Sequence, residues 1–193
     1  SMEENKRYLK YVTARYAAYR NVWWALANEY ELLGHINEEG WEELAAVLKE
    51  NDPYGHLASI HNCEVYYDYS KPWITHCSCQ RVDHHRTTES TDELRALYGK
   101  PVIWDEIGYE GDFPHCWGNF TPEELVRRAW EAAVRGGYCG HGETYLSDDN
   151  IIWWAHGGKL KGESPERKTI CAERDLRQQP AKGEAEQAQQ KQV

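Results

Sequence analysis

Two glutamates stand where a carboxylate is costly unless something uses it. The run Asn21-Val22-Trp23-Trp24-Ala25-Leu26-Ala27 leads into Asn28-Glu29, and Pro101-Val102-Ile103-Trp104 leads into Asp105-Glu106. A charge at the end of an apolar strand is expensive unless a partner or a reaction employs it. Gly108 and Gly111 follow the second pair of acids, where they let the chain turn sharply and admit a close neighbour. Strands that hand acids to loops at one end are how α/β barrels place reacting groups. A solvated acid at an ordinary strand exit is the competing reading for either glutamate alone. Two of them at one end of a parallel barrel meet a narrower demand. One holds a proton for a leaving oxygen and the other attacks or activates water, which is the requirement of glycoside hydrolysis. Surroundings that push the two pKa values apart would keep each in its role.

The elements around these acids can be read from periodicity. Residues Glu3 to Tyr19 carry Tyr8, Leu9, Val12, Tyr16 and Tyr19 at the spacing of one buried helical face. Asn21 to Ala27 reads as a buried strand, with Trp23 and Trp24 on opposite faces and both mainly core. Asn37 caps a helix to Lys49, with Trp41, Leu44, Ala45, Val47 and Leu48 as its apolar set. Asn51-Asp52-Pro53-Tyr54-Gly55 is a turn. Leu57 to His61 and Trp73 to Ser78 are short strand candidates, and Thr91 to Tyr98 opens with a helix signature. Thr121-Pro122-Glu123-Glu124 starts a helix that runs to Arg135 and stops at Gly136-Gly137. Tyr138 to Tyr145 is the last strand, and Ser164-Pro165-Glu166 caps a helix to about Arg177. Strands and helices alternate, with about five strands in buried, non-alternating runs. That is an α/β pattern, a parallel sheet covered by helices. From Gln178 onward apolar periodicity is lost, so 178–193 reads as a disordered tail.

Composition narrows the choice. The 193 residues include 9 Trp and 13 Tyr but only 2 Phe, and rings with a polar tip suit wet clefts and carbohydrate faces as well as cores. A net charge of −10 argues against a nucleic-acid partner. No apolar run approaches the ~20 residues of a membrane helix, and the N-terminus reads as a polar helix opening rather than a signal peptide. The six cysteines lack CxxC spacing, so free, mostly buried thiols are expected in place of a zinc site or a disulfide framework.

With both acids located, the chain resembles the clan-A retaining glycoside hydrolases, which are (β/α)8 barrels. In that clan an Asn-Glu pair ends the fourth strand, and a glutamate in Lys-Pro-x-x-x-x-Glu-x-Gly ends the seventh. Asn28-Glu29 matches the first, and Lys100-Pro101 through Glu106-Ile107-Gly108 the second. More closely, Asp52-Pro53-Tyr54-Gly55-His56, Ser59-Ile60-His61-Asn62, Asp105 to Asp112 and His141-Gly142-Glu143-Thr144-Tyr145 resemble a poorly characterised group of bacterial glycosidase candidates. The resemblance implies that residues 1–177 form the C-terminal portion, strands four to eight, of an incomplete TIM-type barrel. Strands one to three would precede it in a longer chain. It implies O-glycosyl hydrolysis of a carbohydrate substrate by double displacement, with no cofactor and no metal. Glu29 would be the general acid/base and Glu106 the nucleophile, with Asn28 on the sugar 2-hydroxyl.

His61, His76, Tyr109, Glu110, His141 and Glu143 are the further candidate sugar contacts, with Asp105 as a supporting acid. For each histidine, a satisfied hydrogen bond at the barrel mouth is the competing reading. Many clan members carry a Tyr on the sixth strand or a Trp on the eighth, where this chain has His76 and His141-Gly142-Glu143. Trp153 or Trp154 is then the candidate stacking platform. Two other classes compete. Metal-assisted hydrolysis would draw on His76, His84, His85, His115 and His141, but no fixed ligand spacing supports it. A non-catalytic carbohydrate-binding fragment would need the tryptophans but not both glutamates.

Overall fold

The computed structural model describes residues 1–145. Helix α1 spans Met2–Tyr16 and β1 spans Trp24–Ala25. A 3-10 turn at Tyr30–Leu32 leads to α2, Glu38–Asn51. Strands β2, Ala58–Ser59, and β3, Cys77–Gln80, come next. They are followed by α3, Thr91–Tyr98, β4, Val102–Glu106, and β5, Glu110–Gly111. Helix α4, Pro122–Val134, precedes β6, Tyr138–Cys139, and β7, Glu143–Thr144. No helix among the described residues is long and apolar enough to cross a membrane. The calls on Trp153, Trp154, Cys171, the helix after Ser164 and the tail 178–193 lie outside the described residues.

The strands run parallel in chain order. β1 pairs with β2, Trp24 opposite Ala58. A parallel bridge from His61 to Ser78 carries the layer on to β3, and Ser59 Oγ donates to the His76 carbonyl at 2.6 Å across that step. β3 pairs with β4, Cys77 opposite Val102, and β4 with β6, Ile103 opposite Tyr138. One edge therefore collects the carboxyl ends of β1, β2, β3, β4 and β6, with Glu29, His61, Gln80 and Glu106 all at or just beyond it. β5 and β7 form a separate parallel pair in which Glu110 faces Glu143.

The core lies between this layer and its helices. Trp41, Leu44, Ala45 and Leu48 of α2, Leu94 of α3, and Leu125, Ala129 and Ala132 of α4 pack on Ile60, Cys77, Cys79, Val102 and Trp104. Trp104 is fully buried, and its indole N–H is satisfied by Thr91 Oγ1 at 2.8 Å, as a buried indole requires. The two cap assignments hold: Asn37 Oδ1 accepts from Gly40 N at 3.1 Å and Thr121 Oγ1 from Glu124 N at 3.2 Å. Among the described cysteines Cys77 and Cys79 are buried free thiols, Cys63 is a half-buried one and Cys116 an exposed one, while Cys139 is half-buried.

Several sequence expectations need correction. The buried side of α1 is not its tyrosine stripe: Tyr8 is 69% and Tyr16 45% exposed, while Thr13 and Ala17 are buried. Met2 and Leu9 pack on the core instead, and Lys6 pairs with Glu43 of α2 at 2.5 Å. Trp23, one residue before β1, is 57% exposed, not core, because it borders an open cavity. The strand foreseen from Trp73 begins only at Cys77, since Ile74 N bonds Lys71 O at 3.1 Å and keeps that segment in a turn. It runs on to Gln80. The strand foreseen over Tyr138 to Tyr145 divides in two. Gly140 N bonds Trp104 O at 2.8 Å to end the pairing with β4, and a Cβ at Gly140 would lie 2.7 Å from the Asp105 carbonyl.

Candidate active site

Glu29 leaves β1 through a left-handed turn, φ 50° and ψ 57°, the one positive-φ residue other than glycine among those described. That conformation is uncommon for a side chain of this size, so the surroundings must hold it. Tyr30 N bonds His61 O at 2.9 Å directly after the turn. Glu31 Oε1 accepts from the backbone N–H groups of Cys63 and Val65, each at 2.8 Å, and from that of Glu64. Burial pushes the Glu31 carboxyl up, but these amides outweigh it and hold the group below its ordinary range. The acid so held ties the loop after β2 to the turn that carries Glu29.

Glu106 arrives on β4 directly, beside the end of β3. Gln80 is its register partner, and Arg81 N donates to Glu106 O at 2.8 Å. The Gln80 side chain reaches the other way and donates from Nε2 to Glu29 Oε1 at 2.8 Å. One residue thus connects the two acids. Glu106 Oε2 accepts from the Tyr109 hydroxyl, and Glu106 Oε1 lies 3.8 Å from His61 Nδ1. Burial, the bond to Glu106 and the charges of Glu106 and Glu29 together push the Tyr109 hydroxyl up, so it stays a proton donor. Gly108 makes the turn between them possible: its φ is +96°, and a Cβ there would lie 2.6 Å from the Phe120 ring.

Two cavities open at this edge. A cleft of about 800 Å³ is lined by Asn28, Glu29, Glu106 and Tyr109 together with Cys63, Tyr66, Gln80, Arg81 and Trp117. A smaller cavity of about 250 Å³ is lined by Trp23, Asn28, His61, His76, Ser78 and Asp105. Asn28 borders both. His61 is 3% exposed, and neither of its ring nitrogens has a hydrogen-bond partner. His76 accepts or donates at Nδ1 with Thr75 Oγ1 at 2.9 Å and packs on the Trp23 ring with centroids 5.4 Å apart. Burial pushes the His76 imidazole down, against a smaller upward pull from Asp105, and so favours its neutral form. Asp105, which is exposed, accepts from Ser78 Oγ.

Glu110, His141 and Glu143 border neither cavity. Glu110 on β5 and Glu143 on β7 are buried, and half-buried His141, just before β7, joins them, with Nε2 3.2 Å from Glu110 Oε2 and Nδ1 3.7 Å from Glu143 Oε1. The Tyr145 hydroxyl donates to Glu110 Oε1 at 2.6 Å. This set braces the segment that carries Tyr109. The histidines named for a metal site are scattered: His84 stacks on Phe120, centroids 4.2 Å apart, and His115 lies 3.6 Å from the Cys116 thiol. Among the described residues no group of three or more His, Cys, Asp or Glu side chains is arranged to hold a metal ion.

Sequence reasoning missed Cys63, Tyr66, Gln80, Arg81 and Trp117. Gln80 was within reach had the third strand been followed two residues past Ser78. Burial first, and then the Glu29 carboxylate beside it, push the Cys63 thiol up to about 11. Arg81 Nη2 donates to the Tyr66 hydroxyl at 2.8 Å. Trp117 packs edge-on to Tyr109, centroids 5.7 Å apart, and gives the large cleft an aromatic wall. Arg128, buried in α4, organises the rim from behind. Its Nη1 donates to the carbonyl oxygens of Ile107 at 3.0 Å and Arg81 at 3.3 Å, and its Nη2 to that of Asp83 at 2.6 Å. Nε donates to Glu124 at 2.8 Å.

A model of the Apiosidase-like catalytic domain matches residues 1–179. No curated protein matches the sequence. A candidate glycoside hydrolase from Bacteroides vulgatus ATCC 8482 is 40% identical, with a TM-score of 0.82 over 93% of this chain and 35% of its own. A family 5 glycoside hydrolase from the same organism is 22% identical, with a TM-score of 0.57 over 74% of this chain and 35% of its own; at that identity the likeness is one of fold. The chain spans about a third of the length of each. From the match over residues 1–179, the chain belongs to the Apiosidase-like catalytic-domain family.

Proposed function

We propose that this chain carries the catalytic acids of a retaining glycoside hydrolase, on the C-terminal strands of a (β/α)8-type barrel whose first strands precede it in a longer protein. The observation that supports this best is the placement of Glu29 and Glu106 on one cleft, at the same edge of a parallel layer, with Gln80 bonded to one and in register with the other.

In this reading a Glu106 oxygen attacks the anomeric carbon as the bond from that carbon to the leaving oxygen breaks. The electron pair passes to the leaving oxygen, which takes the Glu29 proton. Water then attacks the glycosyl ester of Glu106 on the same carbon. Glu29, now a carboxylate, removes the water proton, and Glu106 leaves as the carboxylate it was. The Tyr109 hydroxyl keeps one Glu106 oxygen occupied and leaves the other to react. Asn28, beside Glu29 and bordering both cavities, is placed for the hydroxyl next to the anomeric carbon.

The test is the anomer released first from a 4-nitrophenyl glycoside, followed by proton NMR, with Glu106→Gln and Glu29→Gln alongside. In the longer protein, first strands included, retention, and loss of turnover in Glu106→Gln, are expected. Inversion, or turnover that survives in Glu106→Gln, overturns the proposal.

A further inference from the structure

The carboxylate of Glu106 has two oxygens, and they meet different neighbours. Oε2 accepts from the Tyr109 hydroxyl. Oε1 faces Nδ1 of His61 at 3.8 Å, beyond hydrogen-bond length but within it once the gap closes by about 1 Å. Hydrogen bonds of an active site are often long before substrate arrives and tighten around it.

His61 is held ready for that approach. Its backbone N–H donates to the Ala27 carbonyl at 3.1 Å, and its own carbonyl accepts from Tyr30 N at 2.9 Å. A parallel bridge joins it to Ser78, so the main chain is fixed from both neighbouring strands. The residue is 3% exposed, and neither ring nitrogen has a hydrogen-bond partner among the described residues. Burying two unmet polar atoms is costly, and a residue kept for packing alone would be apolar. A carboxylate only accepts, so a bond between the two places the imidazole hydrogen on Nδ1.

We infer that His61 is the charge partner of the nucleophile: its Nδ1–H donates to Glu106 Oε1 and favours the states in which that oxygen is negative. The inference rests on the glycosidase reading, and it assigns His61 to one half of the reaction. In the first step Oε1 bonds to the anomeric carbon while the leaving oxygen takes the electron pair. A donor on Oε1 gives that step nothing, since it stabilises the charge being spent. In the second step the water oxygen attacks the same carbon, and the bond from that carbon to Oε1 breaks. The electron pair returns to Oε1 and the water proton goes to Glu29, while His61 transfers no proton. A donor aimed at an oxygen where charge develops lowers that barrier. His61 therefore speeds release of the sugar from Glu106 rather than its capture.

The test uses the longer protein and the 2,4-dinitrophenyl glycoside of a sugar it turns over, a leaving group fast enough for sugar release to limit kcat. An asparagine amide nitrogen stands as many bonds from Cα as Nδ1 does, and a glutamine one as many as Nε2. His61→Asn thus keeps the donor in place and His61→Gln moves it away. His61→Gln should lower kcat about tenfold and KM by a similar factor, leaving kcat/KM nearly unchanged. Mass spectrometry should then find a glycosyl group accumulating on Glu106. His61→Asn should retain most of kcat. A purely structural histidine would make the two variants alike; that result, or a kcat/KM that falls as far as kcat, overturns the inference. Should neither variant fold, nitrogen-15 NMR of the unmodified protein decides. Its His61 Nδ1–H proton should move upfield when a 2-deoxy-2-fluoroglycosyl fluoride traps Glu106 as the ester, and an unmoved signal overturns the inference equally. The trapping also separates the two levels. No adduct on Glu106, with turnover surviving in Glu106→Gln, would defeat the glycosidase reading itself. An adduct without the split between kcat and KM in His61→Gln would defeat the role of His61 alone.

Discussion

Gln80 holds Glu29 by a 2.8 Å hydrogen bond from its side-chain amide, while its own backbone lies in register with Glu106 one strand away. The spacing of the two acids is therefore set by a single side chain on the strand between their loops. Gln80→Leu keeps the volume and removes the donor. It should lower kcat/KM about 100-fold, the scale that small misplacements of a reacting group produce, with little change in Tm. Steady-state kinetics beside a thermal melt checks this, and an unchanged kcat/KM would remove Gln80 from the machinery.

Leaving groups distinguish the acids. A nitrophenolate departs without a proton, whereas a sugar alcohol needs one. Glu29→Ala should thus spare the first step on 4-nitrophenyl glycosides and nearly abolish cleavage of alkyl glycosides. Glu106→Ala should abolish both. Burst kinetics on the aryl substrate reads the difference, and equal losses in the two variants would contradict the assigned roles.

Gly108 should tolerate no side chain. Its φ of +96° and the Phe120 ring 2.6 Å from any added Cβ act together, the backbone alone costing about 1–3 kcal/mol. Gly108→Ala is expected to lower stability by at least that much in urea melts. It should also displace the hydroxyl of Tyr109 from Glu106, visible as a fall in kcat beyond the loss of folded protein.

Arg128 bonds three loop carbonyls from within the core. Arg128→Met removes the charge but leaves those carbonyls and Glu124 unmet, an effect of about 3–5 kcal/mol. Chemical denaturation measures it. A loss below 1 kcal/mol would mean that water replaces the guanidinium.

Acid should weaken the fold partly through Glu124. Hydrogen bonds and charge from Arg127, with Arg128 adding to them, lower its carboxyl from 4.5 to about 2. A carboxyl depressed in the folded state contributes stability that is present above about 4.5 and is lost as pH falls toward about 2. The exposed side of this network is screened by solvent, so the effect is modest. Glu124→Gln should flatten the Tm profile across that window and leave its shape near neutral pH unchanged.

Much of this was legible in the sequence because local rules were strong. Asn37 and Thr121 announced α2 and α4 by the side-chain oxygens that cap them, and both glutamates announced themselves as charges at the ends of apolar runs. α1 misled because tyrosines at helical spacing fit a buried face and an exposed one equally well, and tertiary packing through Met2 and Leu9 left them outside. Trp23 misled for a related reason: alternation gives two faces to a strand but does not say whether both are covered. Arg81 and Trp117 were out of reach. Their roles depend on which strand neighbours which, and no local pattern encodes that. His141 and Glu143 were named as residues at the end of a strand; they lie beside Glu110 in the β5–β7 pair and line neither of the two cavities described.

The left-handed turn at Glu29 bears on any attempt to transplant this pair of acids. A glutamate grafted at the end of an ordinary strand would continue straight and aim along the sheet, whatever rotamer it adopted. The direction of the acid here is written in the main chain, and the anchors that hold it come from Gln80, His61 and the loop pinned by Glu31. The portable unit is accordingly three neighbouring strand ends taken together, and a designer who copied the two carboxylates alone would copy their chemistry without their aim.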